Sequence, residues 1–93
     1  MAALCVYVIR DCFGSLEARR LAGAVARQFP RLDVQVIDIH EQPEQRPEGL
    51  VAVPTYVLDG RQVALGNPYR RELFARLARY LAVAAEEGFD DSP

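Results

Sequence analysis

Two short β-rich segments flank one amphipathic stretch near the start of the chain, and this order constrains the fold more than any other feature. The run LCVYVI at residues 4–9 is continuously apolar, as in a strand that is buried on both faces. Apolar residues recur every three or four positions over residues 15–29, which predicts a helix that ends before Pro30. Residues 33–39 again favour a strand. The pattern therefore predicts a right-handed βαβ unit with parallel strands.

The middle of the chain predicts a loop and then a hairpin. Residues 40–50 contain two prolines and no periodicity, so we expect an exposed loop there. Two β-rich runs within residues 53–66 are separated by Asp59 and Gly60, a pair that favours a two-residue turn. These strands are therefore expected to be antiparallel.

A second helix is predicted after the hairpin. Asn67 is a suitable N-cap and Pro68 suits the first helical position, and the apolar residues that follow share one face: Leu73, Leu77, Leu81 and Ala84. The acidic segment 86–93 has no such pattern and is expected to be a disordered tail. The predicted fold class is therefore α/β, with the order β-α-β-β-β-α and a four-stranded mixed sheet in one domain over residues 1–85.

The composition limits the classes of function. The chain has 93 residues, enough for one domain, and its formal net charge is −2. Its basic residues are all arginines scattered among carboxylates, so nucleic acid is not an expected partner. No apolar run approaches the roughly 18 residues of a membrane span, and no basic segment precedes the first apolar run. We therefore expect a cytoplasmic protein without a membrane partner.

The two cysteines are not expected to bind each other or a metal. Cys5 lies inside the first predicted strand, and extended chain separates its Cα from that of Cys12 by roughly 15 to 20 Å, whereas a disulfide needs less than about 7 Å. Cys5 is expected to be a small buried apolar residue. His40 is the single histidine and no cysteines are clustered, so no metal site is predicted.

Cys12 is the candidate catalytic residue. It follows the first strand at the start of the predicted helix, where backbone N–H groups and the helix dipole stabilise a thiolate, the nucleophilic form of cysteine. Arg10 would add to this stabilisation and Asp11 would oppose it, and the sequence leaves their net effect open. In the alternative interpretation Cys12 is an ordinary loop residue, and Asp11 or Ser15 caps the helix.

Ser15 stands where a Cys-x-x-Cys site would carry its second cysteine. In such a site the second sulfur attacks the mixed disulfide formed by the first and releases the product, which a hydroxyl cannot do. A site of Cys12 and Ser15 is therefore predicted to capture a thiol partner without resolving the bond itself.

Three features together resemble the thioredoxin fold that thioredoxins and glutaredoxins share, over about residues 3–85. They are the cysteine after the first strand in IRDCFGS, the VPT at residues 53–55, and the hairpin LDGRQVALGNP at residues 58–68. The resemblance implies a cis Val53–Pro54 bond beside Cys12, with the backbone of Val53 presented to an extended substrate.

The same resemblance assigns substrate-binding positions to Phe13, Val53, Pro54 and Thr55. General strand rules leave open a trans Pro54 at the start of an edge strand. Aromatic residues such as Phe13 and Tyr56 are also more often core residues than binding residues.

The CFGS motif is similar to the Cys-x-x-Ser motif of monothiol glutaredoxins, which is usually CGFS. That similarity implies glutathione as a candidate cofactor and, in some members, an iron–sulfur cluster. The chain departs from the pattern in the order of Phe13 and Gly14. It also has Ala52-Val53-Pro54 and Gly66-Asn67-Pro68 where those proteins have Thr-Val-Pro and Gly-Gly or Gly-Cys.

Two hypotheses from different classes follow. In the first, the protein is a monothiol oxidoreductase that forms mixed disulfides through Cys12 with protein thiols or disulfides or with glutathione. In the second, it is a non-catalytic thioredoxin-like module that binds a partner at the surface around Pro54. The reactivity of Cys12 distinguishes the two.

Overall fold

The computed structural model describes residues 2–90, and for residues 85–90 it describes the helical backbone alone. The elements follow in the order β1 (Ala3–Val8), α1 (Ser15–Gln28), β2 (Asp33–Asp38), a short 3₁₀ helix (Pro43–Gln45), β3 (Thr55–Leu58), β4 (Arg61–Leu65) and α2 (Arg70–Asp90). Each predicted strand and helix is present, with ends that differ by a few residues.

The four strands form one mixed sheet in the order β2-β1-β3-β4. β1 is parallel to β2 and antiparallel to β3, and β4 is an antiparallel edge strand beside β3. Asp59 and Gly60 both have positive φ, 47° and 85°, as the predicted two-residue turn requires. The structure thus confirms the predicted α/β fold with its four-stranded mixed sheet.

Side chains alternate along β1 between the two faces of the sheet. Leu4, Val6 and Val8 are fully buried on the face that both helices cover. The main hydrophobic core joins them to residues of the helices and the other strands: Ala18, Leu21, Ala22, Val25, Leu32, Tyr56, Leu58, Leu73 and Leu77. Both helices therefore pack against one face of the sheet.

The opposite face of the sheet is covered by an irregular segment instead of a long helix. A smaller cluster lies there, made of Tyr7, Ile37 and Ile39 with Cys5, Ile9, Leu50, Val53 and Val57 packed against it. Leu50 and Val53 come from the segment between β2 and β3. Cys5 is only partly buried, whereas the sequence predicts burial, because this irregular segment does not cover the whole face.

The second helix begins two residues later than predicted. Its first residue is Arg70, and the Leu73 N–H donates to the Tyr69 C=O at 3.0 Å, so Tyr69 occupies the N-cap position instead of Asn67. The side chain of Asn67 is engaged elsewhere and does not cap the helix.

The domain boundary between residues 85 and 86 stays a prediction. The backbone of α2 continues to Asp90, and residues 91–93 of the expected acidic tail lie outside the described residues. In the part of the chain that the structure describes, neither helix combines the length and the apolar character that crossing a membrane requires.

Candidate functional site

Cys12 lies in two consecutive turns between β1 and α1. Its N–H donates to the C=O of Ile9 at 3.1 Å, and its C=O accepts the N–H of Ser15 at 3.1 Å. Asp11 and Gly14, the third residues of these turns, have positive φ of 66° and 88°, as type II turns require. The turns leave Cys12 exposed at the surface.

Residues 10–14, which we call the Cys12 turn, end before the helix begins. Gly14 is the N-cap of α1, and Ser15 is its first residue. The sequence predicts Cys12 at the helix start, but the left-handed backbone of Gly14 cannot continue a right-handed helix. Cys12 therefore precedes the N-cap by two residues.

The Cys12 turn contacts the segment before β3. The Val53–Pro54 peptide bond is cis, and Pro54 is buried. A Cβ placed on Gly14 would lie 3.5 Å from Pro54 Cδ and 3.2 Å from Asn67 Nδ2. Glycine at this position therefore suits both the positive φ and the close approach of two neighbours.

The backbone of Val53 is available beside this contact. Its side chain is half-buried in the smaller cluster on the helix-free face. The C=O of Pro54 accepts the N–H of Gly66 at 2.8 Å, whereas no hydrogen bond among the described residues involves the N–H or C=O of Val53. An extended chain could pair with Val53 without displacing a bond of the protein.

Two residues predicted to act at the site have buried side chains. Ser15 is 3% exposed, and its hydroxyl donates to the C=O of Ile9 at 2.6 Å. Thr55 is 2% exposed, and its hydroxyl donates to the C=O of Ala52 at 2.6 Å. Both hydroxyls therefore fix the backbone around the site, and neither is presented to a partner.

Several exposed apolar side chains belong to the chain segments next to Cys12, Pro54 and Asn67, and we call them the apolar rim. Its members are Phe13, Leu16, Val51 and Tyr69, four of the six large apolar side chains that are exposed in the described residues. Phe13 is fully exposed, so this aromatic residue is not part of the core. The Cys12 turn meets Pro54 and Asn67, and large exposed apolar side chains on segments that meet are typical of a contact surface for another molecule.

A shallow depression of about 500 Å³ lies beside Cys12 on the α1 side. Its walls include Arg10, Asp11, Phe13, Leu16 and Arg19. The guanidinium of Arg10 forms an exposed ion pair with Glu41 at 3.0 Å, which contributes little to stability but moderates the positive charge.

Asp38, which the sequence analysis does not single out, holds the first residue of the Cys12 turn. Its carboxylate is 5% exposed and accepts the N–H groups of Arg10 at 2.8 Å, His40 at 2.9 Å and Glu41 at 3.2 Å. Burial raises the pKa of this carboxyl, but the three donors together outweigh burial, and the pKa is lowered from its ordinary value. An acidic residue at the end of the β-rich run 33–39 is the sequence signal for this role.

Asn67 holds the other end of the Cys12 turn. Its Nδ2 donates to the C=O of Gly14 at 2.8 Å, and its Oδ1 accepts the hydroxyl of Tyr56 at 2.7 Å. Burial, and to a smaller extent the charge of Glu17, raises the pKa of the Tyr56 hydroxyl. Sequence spacing gives no signal for this arrangement because its members are far apart in the chain.

The second cysteine does not take part in this site. Cys5 and Cys12 are both free thiols. Cys5 lies beside Tyr7 on the helix-free face, where burial and then the neighbouring Cys5 raise the pKa of the tyrosine hydroxyl. Within residues 2–84, whose side chains the structure describes, no group of three or more His, Cys, Asp or Glu is arranged to hold a metal ion.

No protein-family model and no curated protein matches the chain, but 75 chains of solved structures do. A mutant thioredoxin from Halobacterium salinarum is 27% identical with a TM-score of 0.64, and the match covers 77% of this chain and 67% of that one. A designed protein is 25% identical with a TM-score of 0.68, and the match covers 86% of this chain and 80% of that one.

A third similar structure concerns the thiol resolving mechanism in yeast mitochondrial 1-Cys peroxiredoxin via glutathione/thioredoxin systems. It is 18% identical with a TM-score of 0.68, and the match covers 84% of this chain and 77% of that one. Together with the sheet order, these similarities show a thioredoxin-like fold and support the thioredoxin-like superfamily. They support a protein of the thiol–disulfide oxidoreductase kind.

Proposed function

We propose that this protein is a monothiol thiol–disulfide oxidoreductase that forms mixed disulfides through Cys12 with proteins or with glutathione. The observation that carries the proposal is the position of Cys12. This exposed thiol belongs to a turn that packs against the cis Val53–Pro54 segment of a thioredoxin-like fold.

The proposed cycle consists of two thiol–disulfide exchanges. The Cys12 thiolate attacks one sulfur of a partner disulfide, so a bond from Cys12 to the partner forms, the partner's S–S bond breaks, and its second sulfur leaves as a thiolate. The thiolate of an outside thiol such as glutathione then attacks the partner sulfur of the mixed disulfide. Cys12 leaves as a thiolate, and the oxidised partner departs bonded to the outside thiol.

The surroundings of Ser15 support the need for an outside thiol. The Ser15 hydroxyl is directed to the C=O of Ile9 and is buried. A hydroxyl at this position cannot displace a sulfur. Cys5 lies on the helix-free face of the sheet, opposite the face that α1 covers. The second exchange therefore depends on a thiol from solution, which a reducing compartment such as the cytoplasm supplies.

The apolar rim favours a protein over glutathione as the partner. Phe13, Val51 and Tyr69 are the most exposed of the large apolar side chains that the structure describes. An extended partner segment would cover them and pair with the free backbone of Val53. Glutathione is small and charged, and it would contact mainly the depression between Arg10 and Arg19.

A second candidate function is that of a non-catalytic binding module. The observation that favours it is the late start of α1, with Gly14 as N-cap. The effect of a helix dipole falls off beyond the first turn, and Cys12 lies outside α1, two residues before its N-cap. In this function the rim binds a partner and Cys12 does not turn over.

Mass spectrometry after incubation with glutathione disulfide tests the proposed function. We expect one glutathionyl group on the protein, attached to Cys12, and its removal by added glutathione. The Cys5→Ser variant should behave like the parent, and Cys12→Ser should gain no adduct. An adduct on Cys5, or no adduct at all, would contradict the proposal, and an adduct that added glutathione does not remove would favour the binding module.

A further inference from the structure

We propose that Asn67 is a positioning residue that sets where the Cys12 turn lies relative to the Val53–Pro54 segment. This inference rests on the proposed function. The Asn67 side chain joins the C=O of Gly14, at the end of the Cys12 turn, to the buried hydroxyl of Tyr56 on β3. It is thus a link between the loop that carries the sulfur and the strand that follows Pro54.

The two partners of Asn67 determine which way its amide faces. The Gly14 carbonyl can only accept a hydrogen bond, so it must face the amide nitrogen, and Oδ1 must then face the Tyr56 hydroxyl. Tyr56 is 0% exposed and sits in the main hydrophobic core, so it offers a fixed reference point. The buried Tyr56 hydroxyl therefore helps to fix the orientation of the Asn67 side chain.

The Gly14 carbonyl receives two hydrogen bonds, and this joins the turn to the helix as well. It accepts the N–H of Ala18 at 2.9 Å, inside α1, and the amide of Asn67 at 2.8 Å. At the other end of the turn, Asp38 accepts the N–H of Arg10. Asp38 ties the turn to β2, and Asn67 ties it to the side of the molecule that carries Pro54.

Loss of the Asn67 bond should therefore affect partner selection more than the thiol itself. A small reagent needs only access to the Cys12 sulfur. A peptide disulfide must meet both the sulfur and the backbone of Val53, and misplacement of one relative to the other by about 1 Å can lower a rate by up to roughly a hundredfold. Asn67 is predicted to matter only for the second kind of reagent.

The experiment compares two reagents on the Asn67→Asp variant. One is an apolar cysteine peptide activated as its pyridyl disulfide, and the other is dithiodipyridine without a peptide; both react with thiols even in acid, and both release thiopyridone, which absorbs light. All proteins in this assay carry Cys5→Ser, so that Cys12 is the one thiol that reacts. The ratio of the peptide rate to the dithiodipyridine rate then cancels any effect of the new charge on the Cys12 thiol, because both reagents use the same sulfur. Gln62→Glu, an amide-to-carboxyl change at an exposed residue of β4, is the matched control.

At about pH 8 we expect the ratio of the peptide rate to the dithiodipyridine rate to fall roughly tenfold in Asn67→Asp, because the carboxylate cannot donate to the Gly14 carbonyl. As the pH falls below about 4, the protonated carboxyl can donate again, and the ratio should return toward the parent value. Gln62→Glu should match the parent at both pH values. An unchanged ratio at about pH 8, or a loss that persists in acid, would overturn the proposal.

Two further measurements separate this inference from the proposed function. Tyr56→Phe removes the orienting hydroxyl without adding a carboxyl, so its ratio should fall by a smaller factor that does not recover in acid. If the parent forms no mixed disulfide at Cys12, the proposed function fails. Hydrogen exchange at the Ser15 and Ala18 amides then decides the positioning role, which requires faster exchange in Asn67→Asp than in the parent.

Discussion

Gly14 explains the order of residues in the CFGS motif. Its φ of 88° is costly for a residue with a side chain, and a Cβ there would lie 3.2 Å from Asn67 Nδ2. In the order Cys-Gly-Phe-Ser a phenylalanine would occupy this position. The reversed pair is therefore the order that this turn requires, and Phe13 becomes free to lie fully exposed at the rim.

The change Ser15→Cys should create a disulfide with Cys12. The two residues are the first and last of a turn closed by the Ser15 N–H, and the ends of such a turn lie within about 7 Å, the upper limit for a disulfide. The new side chain would have to leave the direction that the Ser15 hydroxyl takes toward Ile9. Thiol titration after mild oxidation should show the loss of two thiols.

Ser15→Ala is the matched control for this prediction, since it also removes the hydroxyl but adds no sulfur. It should keep both of its thiols under the same oxidation. If Ser15→Cys retains all of its thiols as well, the side chain at this position does not reach the Cys12 sulfur.

At the scale of elements, the Cys12 turn depends on β2 as much as on β1. The end of β2 supplies Asp38, whose carboxylate accepts the N–H groups of Arg10, His40 and Glu41. The folded-state pKa of this carboxyl is lowered, so Asp38 contributes stability above its unfolded-state pKa of about 4. That contribution is lost as the pH falls through the lower folded-state pKa.

The change Asp38→Asn should therefore remove an acid-dependent part of the stability. The free energy of unfolding, measured with urea, should be lower in the variant at neutral pH, and the difference from the parent should shrink as the pH falls below about 4. Asp33→Asn, at the exposed start of the same strand, is the control and should show a smaller difference. A difference that stays constant down to acid pH would contradict the assigned role of Asp38.

Local sequence patterns predict the helices and strands because neighbouring residues determine turns and the spacing of apolar side chains. The hairpin at Asp59 and Gly60 and the amphipathic period of α1 are decided by neighbouring residues. The start of α2 could not be predicted in this way. Asn67 has the chemistry of an N-cap, but Gly14 and Tyr56, brought close only by the completed fold, use both of its polar atoms.

In the candidate site, too, some features depend on neighbouring residues and others on the completed fold. Cys12 and Pro54 could be found from short motifs, and the structure does bring the Cys12 turn and Pro54 together. The buried positions of Ser15 and Thr55 could not be found, because each hydroxyl bonds to a backbone carbonyl, of Ile9 or of Ala52, that the folded loop brings into reach. Motifs identify residues in the chain, whereas exposure is a property of the whole fold.

At the scale of the molecule, the two faces of the sheet are unequal. One face carries both helices and the main hydrophobic core, and the other carries only the smaller cluster under an irregular segment. The free energy of unfolding should therefore depend mainly on the helix-covered face.

The change Leu77→Ala should lower the free energy of unfolding by about 2 to 5 kcal/mol, because Leu77 is 0% exposed in the main core and its loss leaves a cavity. Urea denaturation followed by circular dichroism measures this. Leu16→Ala, at a leucine that is 64% exposed, should change the value by less than about 0.5 kcal/mol. Similar losses in the two variants would mean that the main core does not dominate stability.

The hairpin at Asp59 and Gly60 has a practical consequence for experiments on the protein. β1 and β3 are antiparallel, with Leu4 beside Leu58 and Tyr7 beside Thr55, so this hairpin and the Cys12 turn lie at opposite ends of the sheet. Arg61, the residue that follows this turn, is exposed and does not have a positive φ. A biotin attached at this position would tether the molecule to a sensor surface with the Cys12 turn directed into the solution.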